Sequence, residues 1–312
     1  MDVGNTRLSA AVVADDGELI AVRRRDAPGQ VEATLAALEG MVAELRQDVQ
    51  APIQAMGIGF GGPVDLGTGR IRRSHQTAGW EEVPLGKMMA ERLGLVTYLA
   101  NDANAGALAE ARFGAGRNAA SLLYVNIGTG IGGAIVFDGR IHVGATSTAG
   151  EIGHCIVLPD GPRCTCGKRG CLEALSSGTA LGRRAKELLA EGAGSRSALE
   201  ALPADELTGR EVGRVAAEGD ALALKVVEEA AEFLGIGLAN AVNLLDPAVV
   251  VLGGGVPEMG EVFLRPARES FRENVMPAAA STPLLPAELG YDAGVIGAAA
   301  VAFTEQGARS EP

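Results

Sequence analysis

The sequence predicts an α/β protein of two domains, on three observations. The chain has 312 residues, about twice the ~150 residues of a typical domain. Short apolar strand patterns alternate with amphipathic helix patterns, which is typical of a largely parallel sheet covered by helices. The same opening plan occurs twice: a strand, a loop of glycine and threonine, and a second strand that turns back through Asp-Gly. This repetition indicates two related domains.

The elements follow from the spacing of apolar residues, with a period near two for strands and near 3.6 for helices. The first half is predicted to contain a hairpin over 6–22, a helix from 31 that Pro52 ends, a strand over 53–60, a helix over 85–93, a strand over 96–100 and a helix over 103–113. The second half is predicted to contain strands over 122–127, 134–137, 141–143 and 248–252 and helices over 179–190, 222–245, 261–273 and 294–303.

Composition narrows the class of protein. Hydrophobic residues make up 47% and charged residues 21% of the chain, the balance of an ordinary globular protein. A net charge of −12 repels phosphate backbones, so we expect no nucleic-acid partner. No apolar run reaches the ~18 residues of a membrane span, and no basic and apolar leader opens the chain, so we expect a cytoplasmic protein without a membrane partner. Glycine, at 44 residues, has about twice its usual share, which indicates loops that need bare backbone.

All four cysteines lie close together, with Cys164, Cys166 and Cys171 following His154 by ten residues or more. Clustered thiolates in a reducing compartment suit a soft cation, and a histidine supplies the fourth ligand of a tetrahedral Zn²⁺ site. Free thiols or a disulfide are the alternatives. Cys155 competes for the fourth position, but we expect it to be a small buried residue instead. Four protein ligands leave no open coordination position, so we expect a structural metal.

Two glycine loops have the backbone N–H groups and threonine hydroxyl that phosphate oxygens require, and together they could bind a polyphosphate. Their residues are Asp2, Gly4, Asn5 and Thr6 in the first loop and Gly128, Thr129 and Gly130 in the second. A third run, Gly253, Gly254 and Gly255, would let a nucleoside lie against bare backbone, or is simply a strand-to-helix turn. The Gly128-x-Gly130-x-x-Gly133 match to a dinucleotide fingerprint precedes a strand pattern, so we interpret it as accidental.

Three carboxylates adjoin these motifs. Asp102 follows the strand over 96–100, where it could accept a hydroxyl proton during phosphoryl transfer. The alternative is that Asp102 is only the N-cap of the next helix. Glu151 and Glu173 flank the cysteine cluster; such residues are more often surface carboxylates, but a bound ion would hold both in place.

Taken together, these motifs resemble the ROK family of sugar kinases, most closely the bacterial glucokinases of its zinc-containing branch, from Asp2 to about Gly297. The matching segments are Asp2-x-Gly4-x-Thr6 as the first phosphate loop, Gly61-Gly-Pro-Val-Asp65 as the sugar loop, Asn101-Asp-Ala-Asn-Ala105 with Phe113-Gly-Ala-Gly116 as the catalytic segment, and Gly150-Glu-Ile-Gly-His154 with Cys164-x-Cys-Gly-x-x-Gly-Cys-Leu-Glu173 as the zinc segment.

The resemblance implies an actin-like (ribonuclease H-like) ATPase fold, with two domains, a hinge and an interdomain cleft that closes over the sugar. The small N-terminal domain would comprise residues 1–115 and 295–312, with the first phosphate loop, the sugar loop and the catalytic aspartate. The large C-terminal domain would comprise residues 116–294, with the second phosphate loop, the zinc loop and the nucleoside-binding glycines. A homodimer or homotetramer is also implied.

The resemblance further implies the role of each site residue. Asp102 would be the base for the sugar 6-hydroxyl, and His154 would bind zinc through one ring nitrogen and reach the sugar through the other. The residues holding the sugar would be Gly62, Asn101, Asp102, Glu151, His154 and Glu173. Mg²⁺ would accompany ATP.

The predicted activity is ATP-dependent phosphorylation of the 6-hydroxyl of a hexose, with glucose converted to glucose 6-phosphate. One alternative is a kinase for N-acetylglucosamine, N-acetylmannosamine or fructose. Another is a sugar-responsive repressor, although such relatives carry a helix-turn-helix ahead of the Asp-x-Gly loop and this sequence has no room for one. A sugar-binding module without catalysis and a phosphate donor other than ATP also stay open.

Two departures from the family pattern stand out. Only Met1 precedes Asp2, where relatives have several apolar residues, so we expect either a start site upstream or a weakly held Asp2. Asn5 replaces a glycine of many relatives, and we expect little harm because asparagine tolerates left-handed backbone.

Overall fold

The computed structural model describes residues 1–4, 6–65, 68–72, 79–192 and 196–310, and it divides the chain into two compact units. Unit 1 contains Met1–Ala120, Ile135–Ala149 and Glu288–Pro312, and unit 2 contains Ser121–Ala134 and Gly150–Ala287. The predicted domain boundaries, at 115/116 and 294/295, concern the two parts of the chain that are expected to close over a ligand. They stay a prediction.

The strands and helices alternate along the chain as an α/β fold requires. The strands are β1 (Asp2–Val3), β2 (Arg7–Val13), β3 (Leu19–Asp26), β4 (Ala55–Phe60), β5 (Val64–Asp65), β6 (Arg70–Ile71), β7 (Val96–Asn101), β8 (Ser121–Ile127), β9 (Ile131–Phe137), β10 (Arg140–Ile141), β11 (Val249–Gly253) and β12 (Leu284–Pro286). The helices are α1 (Val31–Asp48), α2 (Leu85–Leu93), α3 (Asp102–Phe113), α4 (Glu173–Ser176), α5 (Gly178–Ala190), α6 (Gly209–Ala217), α7 (Ala221–Leu245), α8 (Glu261–Asn274) and α9 (Ala293–Ser310).

Two five-stranded sheets share one plan. The first has the order β3-β2-β1-β4-β7 and the second the order β10-β9-β8-β11-β12. In the first sheet β1 pairs antiparallel with β2 and parallel with β4, and β4 pairs parallel with β7. In the second sheet β11 lies parallel to both β8 and β12. Each sheet thus places its first strand third in the order, which agrees with the repeat seen in the sequence.

The sheet of unit 1 is covered by helices whose apolar faces the sequence predicts. Leu35 and Leu38 of α1 are completely buried. Glycine also allows α9 to contact the backbone of β4: a Cβ on Gly57 of β4 would lie 1.6 Å from the carbonyl oxygen of Ala298 in α9. A Cβ on Gly297 would likewise lie 2.3 Å from the carbonyl oxygen of Ala105 in α3. Helix α9 therefore packs directly on β4 and α3, and fixes the elements that carry the site.

The short strand β1 is paired on both edges, with β2 through Asp2 opposite Ser9 and Val3 opposite Leu8, and with β4 on the other side. The carbonyl of Met1 accepts from Gly59 N at 2.8 Å, and the carbonyl of Val3 accepts from Gly61 N at 3.1 Å. The Met1 ammonium donates to the carbonyl oxygen of Gly57 at 2.7 Å, and burial lowers its pKa to about 6. The expectation of a weakly held Asp2 is therefore wrong, because two neighbouring strands anchor its backbone. An upstream start stays a prediction.

Helix α6 was missed, because two of its nine residues are glycines, Gly209 and Gly213, which lower helix propensity. Its start signal was present: the Thr208 hydroxyl caps the helix by accepting from Glu211 N at 3.4 Å. Within the described ranges, no helix combines the length and apolar character needed to cross a bilayer.

Candidate active site

The catalytic segment in unit 1 begins where β7 ends and α3 starts. The side-chain oxygen of Asn101 accepts from Asn104 N at 2.8 Å and caps the helix. Asp102 is the first helical residue, exposed to solvent, and one of its carboxylate oxygens accepts from Ala103 N at 2.9 Å. The alternative that Asp102 is the N-cap is therefore wrong, because Asn101 already occupies that position. A negative charge at a helix N-terminus is stabilised by the unpaired amides of the first turn.

Two loop segments converge beside Asp102. A Cβ added to Gly61 would lie 3.9 Å from Oδ2 of Asp102 and 4.0 Å from Cα of Gly4, so the sugar loop, the first phosphate loop and the carboxylate are neighbours in unit 1. Gly62 N donates to the carbonyl of Phe60 at 2.8 Å, and Gly4 N to the carbonyl of Arg7 at 3.1 Å. Asn5 lies outside the described residues.

The carboxylate of Asp2 lies against the start of α9. A Cβ on Gly294 would lie 2.7 Å from Oδ2 of Asp2, so glycine leaves space for the carboxylate there. Burial raises the pKa of Asp2, and the neighbouring Met1 ammonium lowers it by a smaller amount. Such a carboxylate is one that a hard cation or its water ligands would stabilise as the anion.

In unit 2 the predicted metal ligands come together. One ligand atom from each of His154, Cys164, Cys166 and Cys171 lies within 4.8 Å of all the others. Nδ1 of His154 is 3.7 Å from Sγ of Cys164, and the sulfurs of Cys166 and Cys171 are 3.6 Å apart. Zn–S bonds of ~2.3 Å at tetrahedral angles place two sulfurs about 3.8 Å apart. The donor set and its spacing therefore fit Zn²⁺.

Cys155 is exposed and stands outside this set, so the expectation that it is a small buried residue is wrong. The other ring nitrogen of His154, Nε2, lies 3.9 Å from Oε2 of Glu151. One ring nitrogen of His154 thus lies near a cysteine sulfur and the other near a carboxylate. This is the arrangement expected if His154 links the metal to a ligand outside the loop.

Glu173 connects the metal loop to the second phosphate loop. Its Oε2 accepts from Ile131 N at 3.0 Å, and its Oε1 accepts from the Thr165 hydroxyl at 3.0 Å. A Cβ on Gly130 would lie only 2.6 Å from Oε2. Glu173 is therefore a bridge between the two loops as well as a candidate sugar ligand.

A cavity of about 1090 Å³ opens in unit 2, lined by Gly128 and Thr129 of the second phosphate loop and by the N-termini of α5 and α6. Glycines allow these backbones to approach one another. A Cβ on Gly178 would lie 2.9 Å from the carbonyl oxygen of Gly128, and a Cβ on Gly209 would lie 2.6 Å from the carbonyl oxygen of Gly178. Helix N-termini and a glycine loop together form an anion site.

The third glycine run is divided between packing and the cavity. A Cβ on Gly253 would lie 2.3 Å from the Tyr124 hydroxyl, and one on Gly254, whose φ is +88°, would lie 2.5 Å from the carbonyl oxygen of Ile127. Gly255 has open space around it and lines the cavity. Packing explains the first two glycines, and a nucleotide contact by them stays a prediction.

Sequence reasoning missed the residues that α5 and α6 contribute to this cavity, among them Thr179, Lys186 and Arg210. The signal that could have found the first of them is the Ser177 cap directly before Gly178 and Thr179, because Ser177 accepts from Ala180 N at 3.2 Å. Lys186 and Arg210 have no local motif, since they face the cavity only through the packing of the helices.

Comparison with known proteins gives the same assignment along nearly the whole chain. Residues 1–305 match the ROK family profile. A glucokinase of Thermotoga maritima is 33% identical over 304 residues, covering 96% of this chain and 95% of that protein. An N-acetylmannosamine kinase of Shigella boydii is 31% identical over 307 residues, covering 98% of each.

Among solved structures, a ROK family glucokinase from Streptomyces griseus in complex with glucose and AMPPNP has a TM-score of 0.82 at 34% identity, covering 96% of each chain. This likeness confirms the predicted actin-like ATPase fold. The chain therefore belongs to the ROK family.

Proposed function

We propose that the protein transfers the γ-phosphoryl group of ATP to the 6-hydroxyl of a hexose, and that glucose is this hexose. The observation that carries the proposal is the exposed carboxylate of Asp102 beside Gly4 and Gly61, with the capping role taken by Asn101. The glucokinase relatives support the choice of glucose. We further propose a cytoplasmic homodimer or homotetramer.

In this reaction Asp102 accepts the proton of the 6-hydroxyl as that oxygen attacks the γ-phosphorus in line and ADP leaves. Asn101 and Gly62, together with Glu151, His154 and Glu173, bind the other hydroxyls. Hexoses differ by the orientation of single hydroxyls, which hydrogen-bonding groups discriminate strongly.

The cavity of unit 2 binds the nucleotide in this proposal. Gly128, Thr129 and the N-terminus of α5 bind phosphates, and Gly255 lies against the nucleoside. Mg²⁺ bound with ATP neutralises phosphate charge, and Asp2 offers the kind of oxygen ligand that this ion prefers. His154 and the three cysteines would hold Zn²⁺ as a structural ion, because four protein ligands leave no open coordination position for catalysis.

The test is ADP release by the purified protein with ATP, Mg²⁺ and glucose, with the product identified by a glucose 6-phosphate-specific dehydrogenase. We expect Asp102→Asn to lower kcat by about 10²–10⁴-fold, the usual contribution of a general base. Glu261→Gln, which removes an exposed acid from the first turn of α8, is the matched control and should leave kcat unchanged. An Asp102→Asn turnover above about one tenth of wild type would exclude the proposed base.

The second candidate is an N-acetylhexosamine kinase, which the similarity to an N-acetylmannosamine kinase favours. Values of kcat/KM for glucose, mannose, fructose, N-acetylglucosamine and N-acetylmannosamine decide between them. A higher value for an N-acetylated sugar would replace glucose in the proposal. Tight sugar binding with no ADP release from any of the five would leave a binding protein without catalysis.

A further inference from the structure

Glu110 is the one carboxylate completely buried among the described residues, and the proposed reaction does not use it. It lies in α3, eight residues after Asp102, or about 12 Å along the helix at 1.5 Å per residue. No basic side chain of the described chain pairs with it. Since a buried charge requires strong partners, its environment needs an explanation.

Three backbone amides supply those partners. Oε2 of Glu110 accepts from Ala115 N at 2.9 Å and from Glu288 N at 3.1 Å, and Oε1 accepts from Leu289 N at 3.0 Å. The backbone carbonyl of Glu110 also accepts from Gly114 N and Gly116 N. One residue thus binds both the turn that follows α3 and a segment 178 residues away in sequence.

Both segments lie where the chain passes between the units. The chain passes between the units four times: the first crossing follows Ala120, shortly after the turn at Ala115, two others follow Ala134 and Ala149, and the last returns to unit 1 at Glu288. At the return, Ala287 N donates to the carbonyl of Leu252 in unit 2 at 2.9 Å, whereas the next two amides donate to Glu110. Adjacent peptide groups are therefore held by different units.

At the first exit from unit 1, the hydrogen bonds of adjacent residues are likewise divided between the two units. The carbonyl of Ala120 accepts from Asp138 N of unit 1 at 2.9 Å. The hydroxyl of the next residue, Ser121, accepts from Ala248 N of unit 2 at 2.9 Å. At these two crossings, the hydrogen bonds to one unit and those to the other are therefore separated by only one or two peptide groups.

The turn is shaped to admit the carboxylate. A Cβ on Gly114 would lie 2.0 Å from Oε2 of Glu110, which no side chain can accommodate. Arg117 and Glu288 form a separate ion pair at 3.2 Å, with more than half of each side chain exposed. Exposed ion pairs of this kind contribute little to stability. The buried carboxylate is therefore the main interaction that holds the two segments together.

We propose that Glu110 is a positioning residue that fastens the first and the last of the four chain crossings to the C-terminal end of α3, and so couples nucleotide binding in unit 2 to Asp102 at the other end of that helix. The proposal rests on the sugar kinase function proposed above. Because the cavity lies wholly in unit 2, nucleotide affinity by itself should not depend on Glu110. The mutual dependence of sugar and nucleotide affinities should depend on it, because coupling between sites needs a shared element.

Glu110→Gln tests the proposal, since the amide nitrogen is a donor and cannot accept from the backbone N–H groups. Glucose affinity is measured calorimetrically with and without AMPPNP, and AMPPNP affinity without sugar. In the wild type we expect AMPPNP to strengthen glucose binding by about fivefold or more. In Glu110→Gln we expect this factor to fall to about one and kcat to fall at least about tenfold, with AMPPNP affinity within about twofold of wild type.

Arg117→Ala is the matched control, because it removes only the exposed ion pair at the same crossing, and it should keep wild-type coupling and kcat. Gly114→Ala displaces the carboxylate without changing Glu110 and should reproduce the Glu110→Gln result. If neither variant folds, hydrogen exchange of wild-type residues 115, 288 and 289 replaces them. We then expect AMPPNP with glucose to slow all three amides together.

A folded Glu110→Gln protein with wild-type coupling and kcat would overturn the proposal. So would a wild type with no coupling, or amides at 115, 288 and 289 that do not respond to the two ligands. Failure of the proposed function is distinguishable, because in that case the wild type phosphorylates no sugar.

Discussion

Asp2 occupies a place where burial raises the pKa of its carboxyl group and Gly294 leaves just enough room for it. A raised folded-state pKa means that the folded protein binds a proton more tightly than the unfolded chain. This residue therefore favours folding most below its unfolded pKa of 3.8, and the contribution declines as the pH rises from there through the folded-state pKa. A residue suited to a bound cation thus lowers the stability of the ligand-free protein.

Asp2→Asn is expected to raise the stability of the ligand-free protein by about 1 kcal/mol at pH 8, because the amide has no charge to bury, and to lower kcat at least tenfold, as stability–function trade-offs at binding residues predict. Thermal unfolding between pH 4 and 8 measures the first effect, and the gain should disappear toward pH 4. Asp16→Asn, on an exposed turn, is the control. A variant no more stable than wild type at pH 8 would show that the buried charge is fully compensated.

Some site residues were predictable from sequence and others were not, for a physical reason. A metal site is predicted by the spacing of Cys164, Cys166 and Cys171, because ligands on one short loop lie close together in space. Glu110 gave no such signal. Its partners Glu288 and Leu289 are brought to it only by the docking of α9 onto α3, and an acid within a helix pattern is ordinarily an exposed one.

Among the elements, the metal loop has a conformation that requires glycine at two positions. Gly167 and Gly170 have φ of +89° and +71°, and a Cβ on Gly170 would lie 1.7 Å from the carbonyl oxygen of Leu158. Without metal, burial, together with the neighbouring Cys166 and Cys164 thiols, raises the pKa of Cys171 to about 12. Zn²⁺ must displace that proton, so metal affinity should increase with pH.

Cys171→Ser should reduce zinc content to below about one tenth of an ion per chain and lower both Tm and kcat, because one thiolate is lost and the loop that carries Glu173 loosens. Metal analysis of the purified protein together with the ADP assay measures this. Cys155→Ser is the matched control, since that cysteine stands outside the cluster, and it should keep one zinc per chain. Equal zinc content in the two variants would contradict the assigned ligand set.

Sequence patterns predicted most elements because their signals are local. The spacing of the buried apolar residues of α1 and the proline that follows it predicted the extent of this helix. Gly94, with φ of +66°, ends α2 in the left-handed conformation that is common at helix C-termini. Helix α6 was not predicted, because its close contact with α5 requires glycine at position 209. Tertiary packing there overrides the low helix propensity of glycine. The cavity between these helices was unpredictable for the same reason.

At the scale of the whole molecule, each unit carries its own candidate site groups: Asp2 and Asp102 lie in unit 1, and the cavity and the metal loop lie in unit 2. If the cavity is the proposed nucleotide site, we expect a nucleotide to make most of its contacts within unit 2 before any sugar is present. Ligand binding protects the backbone that it contacts or orders.

ADP alone is expected to slow hydrogen exchange in the first turns of α5 and α6 by about tenfold or more at saturating ligand, while α1 of unit 1 keeps its rates. Glucose without nucleotide serves as the comparison and should leave the α5 and α6 turns unprotected. Equal protection of α1 and α5 by ADP would contradict a nucleotide site contained in unit 2.

The twelve residues of α3 impose a constraint on sequence length that ordinary surface loops escape. Inserting one residue between Asp102 and Glu110 would rotate the two acids about 100° relative to each other and move them about 1.5 Å apart along the axis. The two acids could not then both keep their present neighbours. Within this helix, substitutions can therefore be tolerated where insertions and deletions cannot.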